Sequence, residues 1–76
     1  MHPNAIHRLQ ILEILYRALE SKPRFHWVNE RELKKLGDID FPLEVLKKLG
    51  HANQDGLNWQ ITGDGILEYE SAQQEP

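Results

Sequence analysis

Four histidines are the side chains of this 76-residue chain that metal chemistry would use first. His2 and His7 are five residues apart, and this spacing does not place them on one face of a helix. His26 and His51 are far apart in the sequence, and no acid–histidine pair has the spacing of metal ligands. We therefore predict surface or boundary histidines and no metal site.

Three further motifs are explained more simply by backbone structure than by catalysis. Asp38 and Asp40 have the chemistry to hold a cation, but a turn and a helix cap account for both carboxylates. The run Gly63–Gly65 is similar to a phosphate loop but lacks the rest of either glycine motif, so we interpret it as a flexible helix start. Neither Ser21 nor Ser71 has a nearby histidine to activate it. We predict no catalytic residue, no cofactor and no enzyme activity.

The length and composition predict one small domain that depends on packing. The chain has no cysteine, which excludes disulfides, Cys-based zinc sites and thiol catalysis. No stretch approaches the roughly 18 apolar residues of a membrane helix, and no signal-peptide pattern is visible. We expect a cytoplasmic protein with one domain over residues 1–71 and a frayed polar tail over residues 72–76.

The net charge of -3 hides an asymmetry along the chain. All nine Lys and Arg residues lie in residues 1–52 beside seven acidic residues, which gives this part a net charge of +2. Residues 53–76 contain five acidic residues and neither Lys nor Arg, which gives -5. The chain is therefore not uniformly basic, but its first two-thirds can present a basic face to a nucleic acid. The alternative is that these charges form a solvated surface.

The spacing of apolar residues and of helix signals predicts a mixed sequence of helices and strands. In order, the elements are a helix from Pro3 to about Ser21, a β-prone run over Phe25–Val28, a two-turn helix from Asn29 to Gly37, a helix over Phe41–Leu49, a hairpin turning at Asp55-Gly56 and a last helix capped by Thr62.

Local signals in these elements make more detailed predictions. Asn29 and Glu32 form a capping box, and Asp40 caps the next helix. Both turn residues of the hairpin should have positive φ. In the helix over residues 41–49 the inward-facing residues should be Pro42, Val45, Leu46 and Leu49, and the outward-facing residues should be Leu43, Glu44, Lys47 and Lys48. Trp27 and Trp59 should be core aromatic residues, and the alternative for Trp27 is partial exposure, since it lies in a short edge strand.

Two stretches carry a resemblance to a known family. Residues 28–39, VNERELKKLGDI, match the usual entry from a strand into a helix-turn-helix, and residues 59–69 have the pattern aromatic-x-Ile-Thr-x-x-Gly-x-x-x-aromatic. Over Ile6 to about Tyr69 the chain resembles the small winged-helix proteins of bacteria and archaea. The resemblance implies an α+β fold with a three-helix core, a small antiparallel sheet whose hairpin is the wing, and a short C-terminal helix.

The resemblance also implies a function and a binding surface. In the family, the helix after the turn enters the major groove of DNA and the wing lies on the backbone or minor groove. These elements correspond here to Phe41–Leu49 and His51–Asn58. The residues that this implies for DNA contact are Lys34, Lys35, Leu43, Lys47, Lys48 and Gln54. The implied function is that of a small transcriptional regulator that binds double-stranded DNA.

A protein–protein interaction module on the same scaffold is the alternative. The recognition helix has no Arg, Asn or Gln to form paired hydrogen bonds with a purine edge. Glu44 would be repelled by phosphates, and the wing has neither Lys nor Arg. Under this alternative the same surface binds a protein partner through Leu43, with the lysines as its rim.

The first helix also predicts self-association. It has apolar residues around most of its circumference, and the core of so small a chain can cover only part of them. We expect a homodimer in which Ile11 or Ile14 lies at the interface.

Overall fold

A computed structural model describes residues 2–73. Its elements are α1 (Pro3–Ser21), β1 (Val28–Asn29), α2 (Glu30–Leu33) with a 3₁₀ turn (Lys34–Leu36), α3 (Asp40–Leu49), β2 (Ala52–Asp55), β3 (Asn58–Ile61) and α4 (Gly63–Ala72). The strands form an antiparallel sheet in the order β1-β3-β2. The described part of the chain is thus a small α+β fold with four α-helices and a three-stranded sheet, which confirms the predicted α+β class.

The first helix begins and ends where the sequence predicts. Pro3 occupies the first turn, where its missing N–H costs nothing, and the His2 side chain accepts a hydrogen bond from the backbone N–H of Asn4. At the other end the Lys22 N–H donates to the Ala18 carbonyl at 2.9 Å. The residues Gln74–Pro76 of the predicted tail, like Met1, lie outside the described residues.

The start of α2 confirms Asn29 as the cap, but the predicted capping box, in which Asn29 and Glu32 each accept from the other's backbone N–H, does not form. Asn29 Oδ1 accepts a hydrogen bond from the Arg31 N–H at 2.9 Å, and so Asn29 is the cap. Glu32 does not reach back to Asn29; its carboxylate lies 3.0 Å from the Lys35 Nζ. Gly37, at the end of the 3₁₀ turn, has φ +116°, which favours glycine.

The cap of α3 lies one residue earlier than predicted. Asp40 is the first residue of the helix, and Ile39 occupies the cap position without a side-chain hydrogen bond. Asp38 Oδ1 accepts instead from the Asp40 N–H, at 3.5 Å. Ile39 is fully buried, so packing rather than a polar cap fixes the start of α3.

The apolar face of α3 is rotated relative to the predicted face. Ile39, Leu43 and Leu46 follow the spacing i, i+4, i+7 and all lie in the core, whereas Leu49 is 53% exposed. Leu43 is only 2% exposed. The prediction that Leu43 faces outward was therefore wrong, because Ile39 belongs to the buried stripe. Leu43 is removed from the candidate contact residues.

The hairpin turn lies one residue later than predicted. Asp55 pairs with Asn58 at the end of the β2–β3 ladder, so the two turn residues are Gly56 and Leu57. Gly56 has φ +62°, and among the described residues only glycines have positive φ. This pattern is that of a type II′ turn, which requires glycine at its first central position.

The two tryptophans have different environments. Trp59 of β3 lies at the centre of the core, and its Nε1 donates to Glu30 Oε1 at 3.1 Å. This confirms the predicted core role of Trp59. Trp27, one residue before β1, is 37% exposed and does not belong to the core, so the alternative of partial exposure is the correct one for Trp27.

The predicted dimer contact at Ile11 is excluded by burial. Ile11 is fully inside the core, because α1 packs against α3, α4 and β3 together. Ile14 is half-buried and also packs against this core. The domain covers more of the circumference of α1 than its apolar pattern led us to expect. Within residues 2–73 no helix is both long and apolar enough to cross a membrane.

Candidate nucleic-acid interface

The outer face of α3 is a mixed surface of one aromatic ring and four charged side chains. With Leu43 and Leu46 in the core, the side chains of α3 that are left most open to solvent on the opposite side are Asp40, Phe41, Glu44, Lys47 and Lys48. The ring of Phe41 is 62% exposed in the first turn of the helix. Positive charge is therefore concentrated at the C-terminal end of α3, and negative charge at its N-terminal end.

The hairpin is joined to α3 by a direct hydrogen bond. Lys47 Nζ donates to Gln54 Oε1 at 3.1 Å, and Gln54 Nε2 donates to the Gly56 carbonyl at 2.9 Å. Two of the predicted contact residues, Lys47 and Gln54, thus lie together, and Gln54 in turn holds the hairpin turn. We call the exposed side chains of α3 together with Gln54 the α3–hairpin surface.

The two lysines of the preceding helix are engaged within the protein. Lys34 Nζ lies 3.6 Å from both Glu30 Oε2 and Asp40 Oδ1, so Lys34 bridges α2 and the first turn of α3. Lys35 Nζ lies 3.0 Å from Glu32 Oε2. Apart from the Glu30 side chain, which is 20% exposed, the groups in these pairs are largely exposed to solvent, and exposed pairs contribute about 1 kcal/mol or less. They lower the local positive potential without fixing either lysine strongly.

Lys47 and Lys48 differ from these two lysines in their surroundings. Neither forms an ion pair with any carboxylate of the described residues. Both are exposed on the last turn of α3. Of the predicted DNA-contacting lysines, these two have their charge most available to a phosphate.

A second exposed segment was not singled out by the sequence analysis. Residues 22–27, KPRFHW, connect α1 to β1 and interleave basic and aromatic side chains. Phe25 is 77% exposed and Trp27 is 37% exposed. The alternation itself is a sequence signal, but its β-propensity led us to interpret it only as a strand.

One side chain with a perturbed pKa, that of Tyr16, lies outside the α3–hairpin surface. The hydroxyl of Tyr16 in α1 donates to Glu70 Oε2 in α4 at 2.6 Å. This hydrogen bond, with smaller contributions from partial burial and from the negative charge of Glu70, raises the pKa of Tyr16 to about 12. Neither residue lies on the α3–hairpin surface, and the contact joins two helices.

Neither metal-binding geometry nor comparison with known proteins assigns a function to the chain. Across residues 2–73 no three His, Asp or Glu side chains lie close enough together to hold a metal ion. No protein-family model matches the chain, and no curated protein and no solved structure matches it significantly.

Proposed function

We propose that the protein is a winged-helix module that binds double-stranded DNA and acts as a small transcriptional regulator in the cytoplasm. The order α1, β1, α2, α3, hairpin, α4 is compatible with this layout. In such a module α3 enters the major groove and the β2–β3 hairpin contacts the backbone beside it. The domain then acts by binding and not by catalysis.

The observation that carries the proposal is the pairing of α3 with the hairpin through Lys47 and Gln54. It combines a helix face that is open to solvent with a hairpin at its side, as groove binding requires. Lys47 and Lys48 supply the positive charge for phosphates, and the Gln54 amide is a hydrogen-bond donor near them. Glu44 can accept a hydrogen bond from a cytosine amino group, and Phe41 can contact a thymine methyl group.

A protein–protein interaction module is the second candidate, and one observation favours it. Leu43 is buried, but Phe41 offers an exposed ring on the same helix, with lysines and carboxylates around it. An exposed aromatic ring with a charged rim is the typical anchor of a protein interface. The acidic groups at this end of α3 would repel DNA but not a basic protein.

A duplex titration tests the first candidate directly. Fluorescent random-sequence duplex DNA should be bound at about 50 mM salt and released steeply towards about 200 mM salt. The variant Lys47→Glu/Lys48→Glu should lose this binding. The matched control is Lys22→Glu/Arg24→Glu, which changes the net charge equally at the segment between α1 and β1, and it should retain most of the binding.

Two results separate the candidates. If the native protein shows no salt-sensitive binding of duplex DNA, the DNA-binding proposal is wrong. If Phe41→Ala then removes capture of a protein partner while the double lysine variant only slows association, the interaction module is correct. The mass of the free protein in solution should be measured alongside, since a regulator of this kind binds paired half-sites as a homodimer.

A further inference from the structure

The segment between α1 and β1 is an ordered loop that exposes two aromatic rings. Phe25 N–H donates to the Lys22 carbonyl at 3.0 Å, which closes a turn with Pro23 at its second position. His26 Nδ1 lies 3.1 Å from the Pro23 carbonyl. The loop is thus held by its own hydrogen bonds, yet Phe25 is the most exposed large apolar side chain among the described residues.

The loop leads into a sheet face that carries amide side chains. Val28 pairs with Trp59, and Trp59 faces the core. Because side chains alternate between the faces of a strand, their neighbours in the sheet lie on the opposite face. The amides on that face are Asn53, Asn58 and Gln60, together with Asn29, whose Oδ1 caps α2. Trp27 directly precedes Val28, and continued alternation of the extended chain would place its ring on the amide side.

The charges at this surface are positive and available. Lys22, Arg24 and Arg31 form no ion pair with any carboxylate in residues 2–73, in contrast to Lys34 and Lys35. Asp55 is the acidic residue of the amide face, and it lies on β2, at the sheet edge remote from β1. The basic end of this surface is therefore the end that bears the two aromatic rings.

We infer that Phe25, Trp27 and the adjoining amide face bind single-stranded nucleic acid. Exposed aromatic rings stack on unpaired bases, which a duplex does not offer. Lys22, Arg24 and Arg31 neutralise the phosphates, and the amides donate to and accept from exposed base edges. This surface shares strands β2 and β3 with the hairpin but none of the side chains of the α3–hairpin surface, and the inference does not depend on the proposed function.

A membrane surface fits the same loop less well. Two rings and two basic residues are a small anchor, and the neighbouring amides and Asp55 would lose water without gaining partners in a lipid layer. Single-stranded nucleic acid instead offers partners to both the aromatic rings and the amides, because each base has a ring face and a hydrogen-bonding edge. Binding to anionic vesicles is therefore the outcome that would replace this inference.

The test is an anisotropy titration of the full chain with a fluorescent oligothymidylate of about 12 nucleotides, a length within the range that such surfaces cover. Phe25→Ala and Trp27→Ala should each weaken binding about tenfold, since each removes a stacking platform. Lys22→Glu/Arg24→Glu should lower the log–log salt slope by about 1.4, at roughly 0.7 for each phosphate contact on a single strand. An abasic oligomer of equal length should bind more weakly than the oligothymidylate.

Control variants distinguish single-strand binding from duplex binding and from unfolding. Phe41→Ala and Lys47→Glu/Lys48→Glu should bind the oligothymidylate like the native chain. The rings of Phe25 and Trp27 lie outside the core, so thermal melts followed by circular dichroism should show both alanine variants folded. Equal binding by the native chain and both alanine variants, or tight binding to phosphatidylserine vesicles without oligothymidylate binding, would overturn the inference.

Discussion

Replacing Gly65 by alanine should destabilise the domain severely, whereas the same change at Gly63 should not. Gly65 lies in the first turn of α4, and its N–H donates to the Thr62 hydroxyl at 3.1 Å. A Cβ built on Gly65 would overlap the backbone carbonyl oxygen of His51 and would lie 2.8 Å from Cγ1 of Ile61. Because the obstacle is backbone, it cannot move aside as a flexible side chain would.

The expected loss of stability follows from the contacts that a Cβ on Gly65 would disrupt. The His51 carbonyl accepts a hydrogen bond from the Thr62 N–H at 3.1 Å, which joins the start of β2 to the end of β3. Losing that bond costs about 1 kcal/mol, and overpacking against Ile61 adds about 1–3 kcal/mol. The sum of about 2–4 kcal/mol is comparable to the stability of about 3–5 kcal/mol that so small a core supplies.

Gly63 is the matched control, since it lies in the same turn of α4. A Cβ there meets nothing within 4 Å, so alanine should be neutral or gain about 0.5–1 kcal/mol of helix propensity. Urea denaturation followed by circular dichroism measures both variants on the same scale. If Gly65→Ala were as stable as Gly63→Ala, the close packing of α4 on the hairpin would be wrong.

Two further predictions concern the hairpin and the contact between α1 and α4. Gly56→Val should cost about 2 kcal/mol in urea denaturation, because a β-branched residue is strained at positive φ, whereas the neighbouring Leu57→Val should stay within about 0.5 kcal/mol; equal stabilities would refute the type II′ turn. The pKa of Tyr16 is raised from 10 to about 12, so the stability that its neutral phenol contributes is present below pH 10 and is lost between pH 10 and about 12. Absorbance titration of tyrosine ionisation should show a high-pH phase that Tyr16→Phe removes and Glu70→Gln shifts down; an unchanged titration curve in both variants would contradict the contact.

Much of the fold could be predicted because its signals are local. Pro3 and the run to Ser21 define α1, and Thr62 caps α4 through a bond to the Gly65 N–H. Such caps and periodicities depend on neighbours within one turn of the chain. The α+β class and the order of the elements follow from them.

The errors arise where a residue outside the predicted element decides. Leu43 continues a buried stripe that begins at Ile39, and Ile39 lies outside the predicted helix over residues 41–49. Gly65 was interpreted as a loose helix start, although what requires glycine there is the carbonyl of His51, fourteen positions earlier. The contact between Gly65 and His51 leaves no trace in local periodicity, whereas the buried stripe of Ile39, Leu43 and Leu46 is periodic only when Ile39 is counted with the helix.

The ion pairs of the candidate site could not be predicted from the sequence either. The sequence shows four lysines near the predicted recognition helix, but it does not show which carboxylates they meet. Lys34 is shared between Glu30 and Asp40, and Lys35 is paired with Glu32. A count of basic residues therefore overstates the positive charge that DNA would encounter.

The salt dependence of duplex binding measures how many lysines are available. Each neutralised phosphate contributes about 0.9 to the log–log slope, so Lys47 and Lys48 alone give about 1.8 per protomer, and all four lysines give about 3.6. The lower value is expected, because moving Lys34 to a phosphate leaves the carboxylates of Glu30 and Asp40 beside it. Glu32→Gln releases Lys35 and should raise the slope by about 0.9 and tighten binding. A native slope near 3.6 that Glu32→Gln does not change would mean that these ion pairs do not hold the lysines back.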